Sequence, residues 1–130
     1  MKLLLDTHIA LWALSDDRQL RPWMRQGMID ADALYVSAVS IWEIAVKRAL
    51  GKLGAPDDIA DAILRTGVLP LSVSWVHGAT AGALPPHHAD PFDRLLVAQA
   101  QVEGLTMLSA DRMMRQYDVS LLRGPSGQSE

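Results

Sequence analysis

The sequence predicts an α/β fold in which a central parallel sheet of about four to five strands is flanked by helices on both faces. Short apolar runs bounded by turn residues alternate along the chain with longer segments of helical periodicity. The segments between successive apolar runs are long enough to hold the crossover helices that parallel strands require. Neither an internal repeat nor a linker interrupts this alternation, so the elements are expected to form one layered core.

The strands are predicted at five short apolar runs, each bounded by residues that favour turns or helix starts. The predicted strands are Lys2–Leu5, Leu34–Ser37, Val68–Leu71, Leu105–Leu108 and, with a weaker pattern, Val119–Leu122.

Helices are predicted where apolar residues recur at helical spacing between these runs. The predicted helices are Thr7–Leu14, Pro22–Ile29, Ile41–Leu50, Asp57–Arg65, Ser74–Leu84, Pro91–Val102 and Asp111–Tyr117. Proline at a first helical position costs no hydrogen bond, and glycine just past the last residue favours helix termination, as at Pro91 and Gly104. Gly78 and Gly82 weaken the helical pattern in which they lie.

Length and composition predict one globular domain. The chain has 130 residues, of which 49% are hydrophobic and 21% charged. We predict a single domain over residues 1–123 and a disordered tail over residues 124–130. The lack of cysteine excludes disulfides and thiol catalysis. Because the apolar runs are too short to span a bilayer and Met1 leads directly into a strand, we predict a cytoplasmic protein with no membrane partner.

The net charge of −3 gives no support to tight, non-specific binding of nucleic acid, which usually needs a basic face. Basic residues cluster locally at Lys47, Arg48 and Lys52, and again at Arg112 and Arg115. Charge therefore remains compatible with the brief encounter of an enzyme with a nucleic acid.

Four acidic residues are predicted to meet at one edge of the sheet. Asp6 and Asp111 follow apolar strands, whereas Glu43 and Asp93 lie near the starts of two helices. In a doubly wound fold, the carboxyl ends of strands and the amino ends of the following helices share one edge. Four carboxylates at that edge would repel one another unless a cation lay between them. The sequence therefore predicts a divalent-metal site and, with it, a nuclease.

Each acid also has a purely structural interpretation. Asp6 and Asp111 could cap the helices that follow them, and Asp90 could cap the helix that contains Asp93. The spacing of Ser40 and Glu43 matches a capping box.

Two observations favour the metal interpretation over capping. Asp93 continues the apolar stripe of Leu96 and Val97, and a buried carboxylate needs a strong partner. In addition, hydroxyl residues that could cap the helices stand near the acids, so capping alone does not require carboxylates. Those hydroxyl residues are Thr7, Ser40 and Ser109.

The histidines are less informative in the sequence. His87 and His88 follow two prolines, and we predict that they form a polar loop beside the pocket. His8 lies close to Asp6, where we expect a solvated side chain.

At four places the sequence resembles the PIN domain family. Leu3–His8 resembles the opening of PIN domains, and Ser37–Ile44 resembles their second acidic motif. His88–Ala100, which contains Asp-Pro-Phe-Asp-Arg, is similar to the third motif as it occurs in VapC-like toxins. Leu108–Asp111 resembles the fourth. These motifs have the right order and spacing over nearly the whole chain.

This resemblance implies a ribonuclease that depends on Mg²⁺ or Mn²⁺ and acts as the toxin of a prokaryotic toxin–antitoxin pair. It implies RNA as the substrate, a cognate antitoxin protein as partner, and a homodimer. The catalytic and metal-binding positions are predicted at Asp6, Glu43, Asp93 and Asp111. Supporting hydroxyls are predicted at Thr7, Ser40 and Ser109, and the role of Asp90 stays open between metal ligand and helix cap.

The expected chemistry is hydrolysis by a metal-activated water, because carboxylate oxygens are suitable ligands for the hard ions Mg²⁺ and Mn²⁺. Whether one or two ions take part is left open by the residues. The main alternative is a PIN-like module that binds RNA or a protein partner without cutting. A phosphate-receiver domain is disfavoured, since Thr7 and His8 stand where a paired acid would be expected and Lys52 is the last lysine.

Overall fold

The computed structural model describes residues 1–125, over which strands and helices alternate as the sequence predicts. The elements in chain order are β1 (Lys2–Leu5), α1 (Thr7–Ser15), α2 (Pro22–Asp30), β2 (Ala33–Ser37), α3 (Ala38–Ala49), α4 (Ile59–Arg65), β3 (Leu69–Leu71), α5 (Trp75–Ala83), α6 (Pro91–Glu103), β4 (Thr106–Leu108) and a 3-10 helix (Arg112–Gln116). Residues 126–130 of the predicted tail lie outside the described residues. Gly124, at its start, packs closely against the ring of Trp23.

All strand pairs of the sheet are parallel, and the strand order is β3-β2-β1-β4. In the central strand, Leu4 is aligned with Tyr35 of β2 and with Met107 of β4. The fifth predicted strand, Val119–Leu122, forms only one parallel bridge, between Met107 and Leu121. The prediction of a parallel α/β sheet with about four to five strands is therefore confirmed.

The sheet is covered on both faces, as its uninterrupted apolar strands predict. Leu3 and Leu5 face a core shared with α1, α2 and α4, whereas Leu4 faces a second core shared with α6 and the segment after β4. Alternation along β1 thus sends successive leucines into opposite cores. Because every residue of this central strand beyond Lys2 is buried, the strand fixes the position of the acid that follows it.

Several helix boundaries differ from the predictions by a few residues. Helix α3 begins at Ala38, three positions before the predicted start, because the hydroxyl of Ser37 accepts a hydrogen bond from the N–H of Val39. Helix α4 begins at Ile59 rather than Asp57. Helix α5 forms despite its glycines, because Ser74 and His77 make a reciprocal capping box.

Among the helices of residues 1–125, none combines the length and the apolar character needed to cross a membrane.

Candidate functional site

A small polar pocket opens at the carboxyl edge of the sheet. Asp6 enters it directly after β1 and Asp111 shortly after β4, while Glu43 comes from the second turn of α3 and Asp93 from the first turn of α6. Since β1 is flanked by β2 and β4, the sheet brings these segments together from distant parts of the sequence. The pocket has a volume of about 170 Å³ and is lined by Asp6, Thr7, His8, Glu43, Lys47, His88, Asp90, Asp93 and Asp111.

Asp6 is buried and held by hydrogen bonds to both of its carboxylate oxygens. Oδ1 accepts the N–H of Ile9 at 2.9 Å, which caps α1, and Oδ2 accepts the hydroxyl of Ser109 at 2.5 Å. Burial raises the pKa of Asp6, against the effect of these two hydrogen bonds. The carboxylate is therefore fixed in orientation but costly to ionise without a nearby cation.

Glu43 is buried between a hydroxyl and a lysine. Its Oε1 lies 2.5 Å from Oγ1 of Thr7, which in turn lies 2.9 Å from Oγ of Ser40. Its Oε2 accepts a hydrogen bond from Nζ of Lys47 at 2.5 Å, one helical turn further along α3. This hydrogen bond to Glu43 raises the pKa of Lys47. Of the two predicted supporting hydroxyls, that of Thr7 therefore contacts Glu43 directly, and that of Ser40 reaches it through Thr7.

Asp93 experiences the repulsion that a cluster of acids should produce. Burial, followed by the charges of Asp90, Asp6 and Glu43, raises the pKa of Asp93 to about 7, although a hydrogen bond with His88 acts in the opposite direction. The carboxyl group lies in the first turn of α6, on the face whose next members, Leu96 and Val97, are buried. Asp93 therefore favours a proton or a cation.

The structural interpretation of the acids is correct in part. Asp6, Asp90 and Asp111 do accept backbone hydrogen bonds at helix starts, from Ile9, from Phe92 and Asp93, and from Met113. The nearby hydroxyls do not make these capping carboxylates redundant, because Thr7 contacts Glu43, Ser109 contacts Asp6, and Ser40 contacts Thr7.

The capping box that the spacing of Ser40 and Glu43 would allow, the structural alternative for Glu43, does not form. Helix α3 begins at Ala38 and Ser37 is its N-cap, so Glu43 lies beyond the first turn and its carboxylate lines the pocket.

His88 is a pocket residue that sequence reasoning placed only in a loop beside the pocket. Its Nε2 lies 2.9 Å from Oδ2 of Asp93 and 3.2 Å from Oδ2 of Asp111. The available signal was its place at the start of the third motif, two positions before the cap of α6. Adjacent histidines point to different sides, and His87 packs its ring edge-on against Tyr117.

The donor set fits a hard divalent cation. Five acids line one pocket, namely Asp90 and the four predicted ones, and burial raises the pKa of both Asp6 and Asp93, so the pocket is unfavourable for the acids alone. Mg²⁺ and Mn²⁺ prefer such oxygen ligands. One nitrogen of His88 and one carboxylate oxygen each of Asp90 and Asp93 also lie within 4.8 Å of one another.

Comparison with known proteins shows the family to which this chain belongs. The family model of the PIN domain matches residues 3–120. Ribonuclease VapC22 from Mycobacterium tuberculosis is 32% identical over 123 residues, which cover 88% of this chain and 91% of that protein.

Two solved structures with lower sequence identity share the fold. VapBC2 from Rickettsia felis, bound to a DNA fragment from its promoter, superposes with a TM-score of 0.69 at 13% identity, covering 94% of this chain and 98% of the other. DNA-bound VapBC from Salmonella typhimurium has a TM-score of 0.68 at 13% identity and covers 94% and 97% of the two chains. The resemblance seen in the sequence is thereby confirmed, and this chain belongs to the PIN domain family.

Proposed function

We propose that this chain is an endoribonuclease that depends on Mg²⁺ or Mn²⁺ and serves as the toxin of a toxin–antitoxin pair. The observation that carries the proposal is the convergence of Asp6, Glu43, Asp93 and Asp111 on one pocket. The similarity to a protein named a ribonuclease, over 88% of this chain, supports RNA as the substrate.

The metal would be held by the four acids, and Asp90 lines the same pocket as a further oxygen donor. When bound, the ion would lower the pKa of a water molecule and neutralise charge on the scissile phosphate. The hydroxyl of Ser109 orients Asp6, and that of Thr7 orients Glu43. Such supporting contacts commonly tune metal affinity by holding ligands in place.

Lys47 gives the pocket its own positive charge. Its ammonium group contacts Glu43 and is also stabilised by the charges of Asp90 and Asp93, so it stays protonated. A cation at the rim of an acidic pocket lowers the repulsion that an approaching phosphate would meet. We infer that Lys47 helps to admit the RNA backbone.

We further propose a cognate antitoxin, a homodimer and a cytoplasmic site of action. A toxin–antitoxin complex from Klebsiella pneumoniae shares the fold, with a TM-score of 0.66. Self-association is supported by exposed apolar side chains at and before the start of α5, namely Val73, Trp75 and Val76, of which Trp75 is 93% exposed. Sedimentation should show a dimer at micromolar concentration, and a monomer there would contradict the homodimer.

The decisive assay separates a nuclease from a module that only binds RNA. Short RNAs should be cut by the purified chain in Mg²⁺ or Mn²⁺ and remain intact in EDTA. Asp6→Asn should lose cleavage by at least ~10- to 100-fold, because even indirect changes around metals cost that much. Asp118→Asn, the same change at an exposed position after the 3-10 helix, should behave like wild type. Binding of RNA without cleavage in either metal would favour the silent module.

A further inference from the structure

We propose that His88 is a nitrogen ligand of the bound divalent ion and makes the site favour Mn²⁺ over Mg²⁺. This inference rests on the proposed function, since it concerns the same metal site. The four acids do not require it, because carboxylates alone would complete an all-oxygen site.

The position of the imidazole supports a ligand role. Nε2 of His88 lies between two carboxylates, 2.9 Å from Oδ2 of Asp93 and 3.2 Å from Oδ2 of Asp111. One nitrogen of His88 and one oxygen each of Asp90 and Asp93 lie within 4.8 Å of one another. Ligands on opposite sides of an ion at ~2.1 Å are ~4.2 Å apart, so small side-chain rotations would let one ion contact all three.

The loop that carries His88 is held in place by contacts from elsewhere in the fold. The N–H of His88 donates to the hydroxyl of Tyr117 at 2.9 Å, and Tyr117 is buried. The guanidinium of Arg94 donates to the carbonyls of Ala81, Leu84 and Pro85. Because these contacts hold the loop in place, the imidazole would lose little conformational entropy on binding a metal, which favours a ligand role.

The chemistry of imidazole predicts a change in metal preference. Mg²⁺ takes oxygen ligands and keeps several waters, whereas later divalent ions accept imidazole nitrogen more readily and generally bind nitrogen and oxygen sites more tightly. A counter-ion role for His88 makes a different prediction. If the imidazole only balanced the acids in the metal-free protein, its removal would affect Mg²⁺ and Mn²⁺ equally.

The test is pulsed electron paramagnetic resonance of Mn²⁺ bound to the intact chain, which detects a directly coordinated nitrogen. Wild type should show nitrogen modulation, and His88→Gln should lose it. His87→Gln is the matched control, since it makes the same change at the adjacent residue, whose ring packs against Tyr117 instead of the acids. In calorimetric titrations, His88→Gln should weaken Mn²⁺ binding by roughly 10- to 100-fold and Mg²⁺ binding much less.

Each outcome supports or overturns the inference. Wild type that binds Mn²⁺ and cuts RNA but shows no nitrogen modulation would overturn the ligand role of His88 and leave the proposed function standing. Modulation that persists in His88→Gln would also overturn it. If Mn²⁺ binds to no variant, the proposed metal site fails together with His88. Thermal melts in EDTA establish that each variant is folded. If His88→Gln does not fold, His8→Gln decides, because it removes the other histidine that lines the pocket: the modulation should remain, and its loss would overturn the ligand role of His88.

Discussion

The hydroxyl of Ser109 donates a hydrogen bond to Oδ2 of Asp6 at 2.5 Å, although the two residues are 103 positions apart in the sequence. The contact exists because β4 pairs in parallel with β1, which places the ends of both strands side by side. The same Ser109 oxygen accepts the N–H of Asp111 at 3.1 Å. A single hydroxyl therefore positions two of the four acids.

Removing this hydroxyl should weaken the metal site without removing a ligand. Ser109→Ala is expected to lower Mn²⁺ affinity and RNA cleavage by roughly 10- to 100-fold, because Asp6 loses the contact that orients it. Ser109→Thr keeps the hydroxyl and should retain most of both. Ser120→Ala, at an exposed serine beyond the pocket, serves as the control. Calorimetric titration measures the affinity, and a wild-type value for Ser109→Ala would rule out this positioning role.

The start of α3 should depend on Ser37. Ser37→Ala removes the side-chain acceptor of the Val39 N–H, and Ser37 is fully buried, so no water replaces the hydroxyl. Loss of such a cap is expected to lower the free energy of unfolding by ~1 kcal/mol. Urea denaturation measures this loss. A stability equal to that of wild type would show that Ser37 does not cap the helix.

Asp90 should tolerate conversion to its amide better than Asp93. Asn can still accept the N–H groups of Phe92 and Asp93 and still offers an oxygen to a metal, so Asp90→Asn loses only the charge. We expect a smaller loss of RNA cleavage than for Asp93→Asn. Asp90→Ala, which removes both functions, should lose more cleavage and ~1 kcal/mol of stability. Equal loss of cleavage for Asp90→Asn and Asp93→Asn would assign the Asp90 charge an essential role.

The metal-free protein should become less stable as the pH rises from about 4 to about 7. The pKa of Asp93 is raised from 3.8 to about 7 in the folded state, chiefly by burial. Within that window the folded state therefore holds a proton that the unfolded state has released, and its stabilising effect disappears as the pH passes the folded pKa. Asp6 contributes with the same sign, since burial raises its pKa too.

Urea titrations in EDTA across this pH range measure the effect. Asp93→Asn should have a flatter profile than wild type. A wild-type stability that rises between pH 4 and pH 7 would contradict the raised pKa.

Much of the candidate site could be predicted, because its acids lie at strand ends and on buried helix faces that the sequence pattern identifies. Asp6 and Asp111 follow strands, and Asp93 continues a buried helical stripe, so periodicity alone places them at one edge. His88 could not be placed in this way, because its orientation depends on Arg94 and Tyr117, which reach the loop through tertiary contacts.

The predicted start of α3 was wrong for a different reason. The sequence contains two serines, Ser37 and Ser40, either of which could cap a helix. Strand β2 runs directly into α3 without a loop, so Ser37 ends the strand and caps the helix, and Ser40 is left to contact Thr7. Spacing alone does not distinguish a serine at a cap from one in the first turn.

Thermal melts of wild type and Asp93→Asn, in EDTA and in Mn²⁺, test most directly whether the four carboxylates form a metal site. In EDTA above pH 7, Asp93→Asn should be more stable than wild type by ~1–3 kcal/mol, because one of the repelling charges is gone. Mn²⁺ should stabilise wild type, since the ion binds the folded arrangement, and should stabilise the variant less. A variant that is less stable than wild type in EDTA, together with no Mn²⁺ shift in wild type, would contradict the site.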